Sequence, residues 1–235
     1  MSCPADVRLP DILEAKTAAL SRRCIDAMYR DPFWSARFGE RGHRYALEDS
    51  AYHVKYVVAA LRAEDAAVFR NYALWLRGVL ASRGMCSRHL AQSFEQLTAA
   101  MNDEGLDPDG FAPAAEILAA GVAVLEYTKG DAGELAKCRE AVEAHVSRTL
   151  PLETRPYRFD ELWSFLLDGV DRGDSSAFPA HVSFLATSLA TSPHETHALQ
   201  LTLEEMRRAC SEQPSLRGRS AIALLDAGLR KLAAA

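Results

Sequence analysis

The chain has no Cys-x-x-Cys pair, no apolar run long enough to cross a bilayer, no excess of positive charge, and only 8% aromatic residues. Each shortage excludes something. The five cysteines, Cys3, Cys24, Cys86, Cys138 and Cys210, are odd in number and widely spaced. They argue against a zinc or iron–sulfur site built mainly of thiolates, and scattered free thiols suit a reducing compartment. The longest apolar stretch, Ala114 to Tyr127, is broken by Glu116 and Glu126, too short and too charged for a membrane span. The first sixteen residues hold no basic segment followed by an apolar one, so no secretory signal is read there. The expected location is cytoplasmic, with no membrane partner. A formal net charge of −5 over 235 residues argues against non-specific nucleic-acid binding. The basic C-terminal residues Arg207, Arg208, Arg217, Arg219, Arg230 and Lys231 read as solvated helix faces.

Catalytic signatures are also missing. There is no G-x-S-x-G elbow and no P-loop, and Arg37 to Gly42 holds two glycines with no strand before them. With 49% hydrophobic and 25% charged residues, the composition is that of an ordinary globular protein.

What is present is helical periodicity from end to end. Alanine and leucine abound, β-branched residues seldom cluster, and no alternating strand pattern stands out. The expected fold class is all-α: two packed helical bundles, residues 1–112 and 113–235, joined near 103–113 or 149–156. Asp11 to Tyr29 reads as one amphipathic helix. Asp31-Pro32 opens a short helix that stops at Gly39, followed by a longer one from His43 to Arg62. Asp65 caps a helix that ends before Gly84, and Ser87 opens the next. Asp103 to Pro113 reads as a loop, with helices then expected at 114–129, 132–148, 159–172, 175–192, 194–211 and 216–234.

An internal repeat is suggested by laying residues 56–102 on 165–211, an offset of 109. Eight of the 47 pairs are identical, including Asp65 with Asp174, Phe69 with Phe178 and Leu76 with Leu185.

The most informative segment is Phe33 to Leu61. On a helix Tyr45, Asp49, Tyr52 and Tyr56 fall at i, i+4, i+7 and i+11 on one face, with His53 beside it. Three phenols, a carboxylate and an imidazole thus occupy what would otherwise be an apolar stripe, and each phenol needs a partner if buried. This face is the candidate ligand-binding site. Trp34 and Phe38 would close it, the tyrosines would stack on the ligand, and Asp49 with His53 would anchor it. Trp34, Trp75 and Trp163 read as core or interface candidates, with Trp34 the nearest of the three to the surface because its helix is short. The rival structural reading has Asp49 merely orienting His53.

The leading function is a non-enzymatic sensory or adaptor protein that binds a small ligand or a partner protein. The rival is a metal-dependent helical enzyme with Glu48, Asp49, His53 and either His194 or His197 as ligands. A third reading is a homodimer formed through an apolar face bearing Ile117, Val122 and Leu125.

The stretch Ala60 to Met101 carries Ala-Leu-x-x-x-Asp, a Phe four residues after the Asp, an aromatic and leucine-rich helix, a Gly turn and a second leucine-rich helix. This pattern resembles the helical module that precedes the corrinoid-binding domain in cobalamin-dependent methyltransferases and photosensors. The resemblance implies a helical bundle. The family's Asp-x-His-x-x-Gly cobalt-ligand motif is absent, and Trp34, Glu48 and His53 are spaced differently from the module's cofactor-facing residues. No cobalamin site is carried over, and the cofactor is left open.

Overall fold

The computed structural model describes residues 8–103, 108–150, 157–216 and 219–234. Every regular element among them is helical. The order is α1 (Leu9–Ala15), α2 (Thr17–Met28), α3 (Pro32–Ala63), α4 (Ala67–Ala81), α5 (Ser87–Asp103), α6 (Pro108–Ala123), α7 (Gly130–Lys137), α8 (Arg139–Thr149), α9 (Phe159–Arg172), α10 (Ala177–Ser188), α11 (Pro193–Glu212) and α12 (Ser220–Ala233).

The capping chemistry sets the main boundaries. The Asp31 carboxylate accepts the Phe33 N–H at 2.9 Å, ahead of Pro32 in the first turn of α3. Gly39 breaks α3 with φ +60° and ψ −166°, a conformation that suits only glycine, so the expected stop there is a kink between two helical stretches. Asp65 accepts the Ala67 N–H at 2.7 Å to open α4.

Three expected spans are corrected. The helix expected over Asp11 to Tyr29 is divided at Lys16, and that over 132–148 at Cys138. Neither break carries a Gly or Pro. Of the expected loop from Asp103 to Pro113, residues 104–107 lie outside the described residues and the rest is helix, because α6 starts at Pro108 and tolerates Pro113 close behind.

The residues fall into two compact units. Unit 1 holds residues 1–80 and 89–126; unit 2 holds residues 81–88 and 127–235. The expected joint at 112/113 lies inside α6, and the chain leaves unit 1 after Glu126. In unit 1, α1, α2 and α6 pack on α3 around Leu13, Leu20, Val54, Phe69, Phe94 and Leu118. In unit 2, α7, α10 and α12 pack on α9, and α8 and α12 on α11, around Leu135, Leu162, Phe178, Leu203, Met206 and Leu225.

The two units share local detail. A short helix ends at a residue near φ −90°, ψ 0° in each, at Lys16 (−92°, 3°) and Cys138 (−86°, −5°). Then α3 and α9 end on left-handed residues, Glu64 (φ 51°) and Gly173 (φ 61°). The next N–H closes the same bond, Asp65 to Ala60 O at 3.1 Å and Asp174 to Gly169 O at 2.9 Å. Both aspartates then cap the following helix. Phe69 and Phe178 are buried four residues later, and each abuts a glycine of the unit's last helix: a methyl on Gly121 would stand 2.3 Å from Phe69, and one on Gly228 2.8 Å from Phe178. Tyr56 stacks on Tyr72 at 3.9 Å in unit 1, and Phe165 on His181 at 4.0 Å in unit 2, at positions again 109 apart.

Candidate functional site

Two stripes run along α3 in unit 1. Ser50, His53, Val54, Val57, Val58 and Ala60 face inward and are buried. Burying the three valines leaves no polar group in need of a partner, whereas burying the phenols would leave three hydroxyls to satisfy. The tyrosines therefore turn outward: Tyr45 is 41% exposed, Tyr52 52% and Tyr56 38%. The polar face expected to be an enclosed stripe is a surface.

Cations edge that surface. Arg41 and Arg44 each lie 5.5 Å from the Tyr45 ring, and Lys55 lies 4.9 Å from the Tyr52 ring. The Arg41 guanidinium donates to the Tyr45 oxygen at 3.4 Å and, with Arg44, holds that phenol below its ordinary pKa. The surface continues onto α4. Tyr56 stacks flat on Tyr72 (12° between planes), and Tyr72 in turn lies 6.2 Å from Trp75, which is 61% exposed. Leu74 stands exposed next to it in sequence. These four aromatics and Leu74 are the exposed large apolar side chains among the described residues, and all five are on α3 and α4.

Beneath the surface lies a buried polar network. The Tyr72 hydroxyl is 2.8 Å from His53 Nδ1, and the Ser93 hydroxyl is 3.3 Å from His53 Nε2. Ser93 directs its own proton to the Leu90 carbonyl at 2.8 Å. The network thus assigns the tautomer: Tyr72 donates to Nδ1, and the Nε2–H donates to Ser93. Burial pushes the His53 pKa down to about 3 and the Tyr72 phenol up, the latter helped by the nearby negative charge of Asp49. Cys24 donates to the Ser93 carbonyl at 3.4 Å, and burial raises its thiol to about 12. His53 is therefore neutral, with both ring nitrogens engaged by Tyr72 and Ser93. The expected orienting role of Asp49 is replaced by theirs.

The remaining expected site residues lie elsewhere. Trp34 and Trp163 are buried, as their reading as core candidates has it, whereas Trp75 is exposed; Trp34 stacks on Phe38 at 5.7 Å. Around it are Tyr29, Phe33 and His89, in a cluster built on the α3 segment before the Gly39 kink. Glu48 is exposed, and His194 and His197 are exposed in the first turn of α11 in unit 2. Among the described residues no three His, Cys, Asp or Glu side chains are placed to hold a metal ion. Of the apolar face expected to meet a second copy, Ile117 and Leu125 are buried and Val122 is half-buried.

Unit 2 holds two polar centres the sequence reading missed. The buried Asp168 carboxylate accepts the Ser87 N–H at 2.8 Å, the Ser87 hydroxyl at 2.7 Å and the Tyr127 hydroxyl at 2.6 Å. Ser164, one turn earlier on α9, accepts the Arg88 N–H at 2.9 Å. The first N–H groups of α5 are thus capped by α9. An aspartate and a serine on the greasy segment ELWSFLLDGV were the available signal. In the second centre, His145 is held by Glu205 at 3.0 Å and Glu212 at 3.9 Å, beside a cleft of about 450 Å³ between α8 and α11 floored by Ala141, Ala144 and Ala209.

No family model matches the chain, and no curated protein and no solved structure matches it. No helix among the described residues is long and apolar enough to cross a membrane.

Proposed function

We propose that the protein is a non-enzymatic helical adaptor that engages a partner protein through the aromatic face of α3 and α4. One observation carries this reading: the exposed large apolar side chains of the described residues all lie on α3 and α4, where Tyr56 and Trp75 are joined through the Tyr72 ring. Scattered exposed apolar residues need no explanation, but a contiguous cluster rich in Tyr and Trp has the composition of an interface centre. The cations against the rings favour a partner with apolar side chains inside an acidic rim. The surface is open rather than a closed pocket, which favours a protein over a small ligand. The buried Tyr72–His53–Ser93 network supports the face from behind, fixing the ring on which Tyr56 rests.

The two units are, on this reading, copies of one six-helix ancestor. The 109-residue offset supports this by pairing left-handed helix ends, aspartate caps, buried phenylalanines and stacked ring pairs. The resemblance of Ala60–Met101 to the helical module of cobalamin-dependent proteins fits the bundle and extends only to caps and core positions.

The test is site-specific photo-cross-linking with a benzophenone amino acid at position 52, 75 or 137 in cell extract. Positions 52 and 75 should give a protein adduct of one defined mass, lost on Tyr56→Arg, while exposed position 137 gives none. Equal labelling at all three positions, or none at 52 and 75, overturns the proposal.

A further inference from the structure

Unit 2 holds a cleft that the adaptor reading does not use. It lies between α8 and α11, has a volume of about 450 Å³, and is bordered by Ala141, Ala144 and Ala209. His145 and Glu212 bring polar atoms into it. A carboxylate outside the cleft orients the imidazole. Buried Glu205 accepts from Arg208 at 3.2 Å on one oxygen and from His145 Nε2 at 3.0 Å on the other. A carboxylate so engaged only accepts, so Nε2 carries the proton of the neutral ring. The Nδ1 lone pair is left facing the Glu212 carboxylate at 3.9 Å, too far for a hydrogen bond. Two acceptors, one of them charged, thus stand across a gap that a single donor atom spans.

We propose that this cleft binds a small primary amine, its ammonium nitrogen bridging His145 Nδ1 and the Glu212 carboxylate. A nitrogen about 2.9 Å from both acceptors sees them about 85° apart, within about 12° per bond of its tetrahedral N–H directions, so both bonds stay close to straight. The chemistry selects against other donors. A hydroxyl has one proton and satisfies one acceptor, and a quaternary ammonium has none. The positive charge meets Glu212 in charge-assisted bonds. The alanines border the space left for a short alkyl chain, and the volume falls in the range of small-molecule sites. Arg148 also lines the cleft, its Nε donating to the Ala144 carbonyl at 3.0 Å. Like-charge repulsion from its guanidinium favours a monoamine over a polyamine. The site is independent of the aromatic face in unit 1 and stands or falls without it.

Isothermal titration of the full chain with butylamine at pH 8 tests this, with NMR of the histidine rings to locate the site. Butylamine should give a saturable heat and move the His145 ring signal. Glu212→Gln should weaken binding about tenfold or more, because the charge on one acceptor is lost. Ala144→Leu, which fills the cleft, should weaken it likewise. Both residues are exposed, so each variant should keep the wild-type melting curve. Tetramethylammonium, a cation without an N–H, and butanol, a donor without charge, should give neither the heat nor the shift. No saturable heat with butylamine, an unchanged affinity in Glu212→Gln, or tetramethylammonium binding as tightly as butylamine overturns the proposal. A saturable heat that leaves the His145 signal in place puts the amine elsewhere on the chain and overturns it too.

Discussion

Replacing His53 with glutamine should change how stability depends on pH more than it changes stability at neutrality. The native imidazole is buried with its pKa near 3, against an ordinary value of 6.5. Between those values the unfolded chain takes up a proton that the folded chain refuses. The contribution is complete above pH 6.5 and is lost progressively as the pH falls toward 3. Integrated over the whole window it amounts to about 4–5 kcal/mol, and by pH 4.5 about 3 kcal/mol is already gone. His53→Gln removes the titration and leaves an amide between Tyr72 and Ser93, at a cost near neutrality of about 1–3 kcal/mol for imperfect partners. Urea unfolding followed by circular dichroism, for both proteins at pH 7.5 and pH 4.5, gives the difference of differences, in which the carboxylates common to both cancel. The wild type should lose about 3 kcal/mol more than the variant on acidification. Parallel losses in the two proteins would refute the buried, neutral assignment of His53.

Three other perturbations give separate readings. Asp168→Ala should destabilise by about 3 kcal/mol or more, because the Ser87 N–H, the Ser87 hydroxyl and the Tyr127 hydroxyl all lose their acceptor; chemical denaturation reads this directly. Gly39→Ala should cost about 1–3 kcal/mol from backbone strain alone, since open space surrounds the added methyl, and a melting curve that does not move would contradict the kink. The thiols of Cys24, Cys86, Cys138 and Cys210 are buried and in no disulfide, and those of Cys24 and Cys210 are raised to about 12. They should resist a disulfide reagent in the native protein and react promptly in denaturant.

Much of the fold was legible because its punctuation is chemical. Asp31-Pro32, Asp65 and Gly84 mark helix ends by side-chain caps and left-handed backbone, and the span 159–172 coincides with α9. The breaks at Lys16 and Cys138 were not legible, since neither carries a Gly or Pro. Pro108 and Pro113 misled in the other direction, because a proline in the first turns of a helix looks like a loop signal. At the site, the spacing of Tyr45, Asp49, Tyr52 and Tyr56 correctly placed them on one side of a helix. It did not show which way that side points. The deciding stripe was the adjacent one, where Val54, Val57 and Val58 outcompete the tyrosines for the interior. Trp75 was equally ambiguous: it shares α4 with Leu76 and Leu80, and only those two fit the core. Tyr72 and Ser93 reach His53 from other helices, at separations of 19 and 40 residues, which periodicity cannot show.

The most direct measurement is residue-level carbene footprinting of the α3–α4 face, comparing dilute purified protein with the same chain at its native level in cells. Tyr52, Tyr56 and Trp75 should label heavily in isolation and be protected in cells, while exposed Lys137 labels equally in both. Equal labelling of the three aromatics in the two settings would contradict an interaction surface on this face.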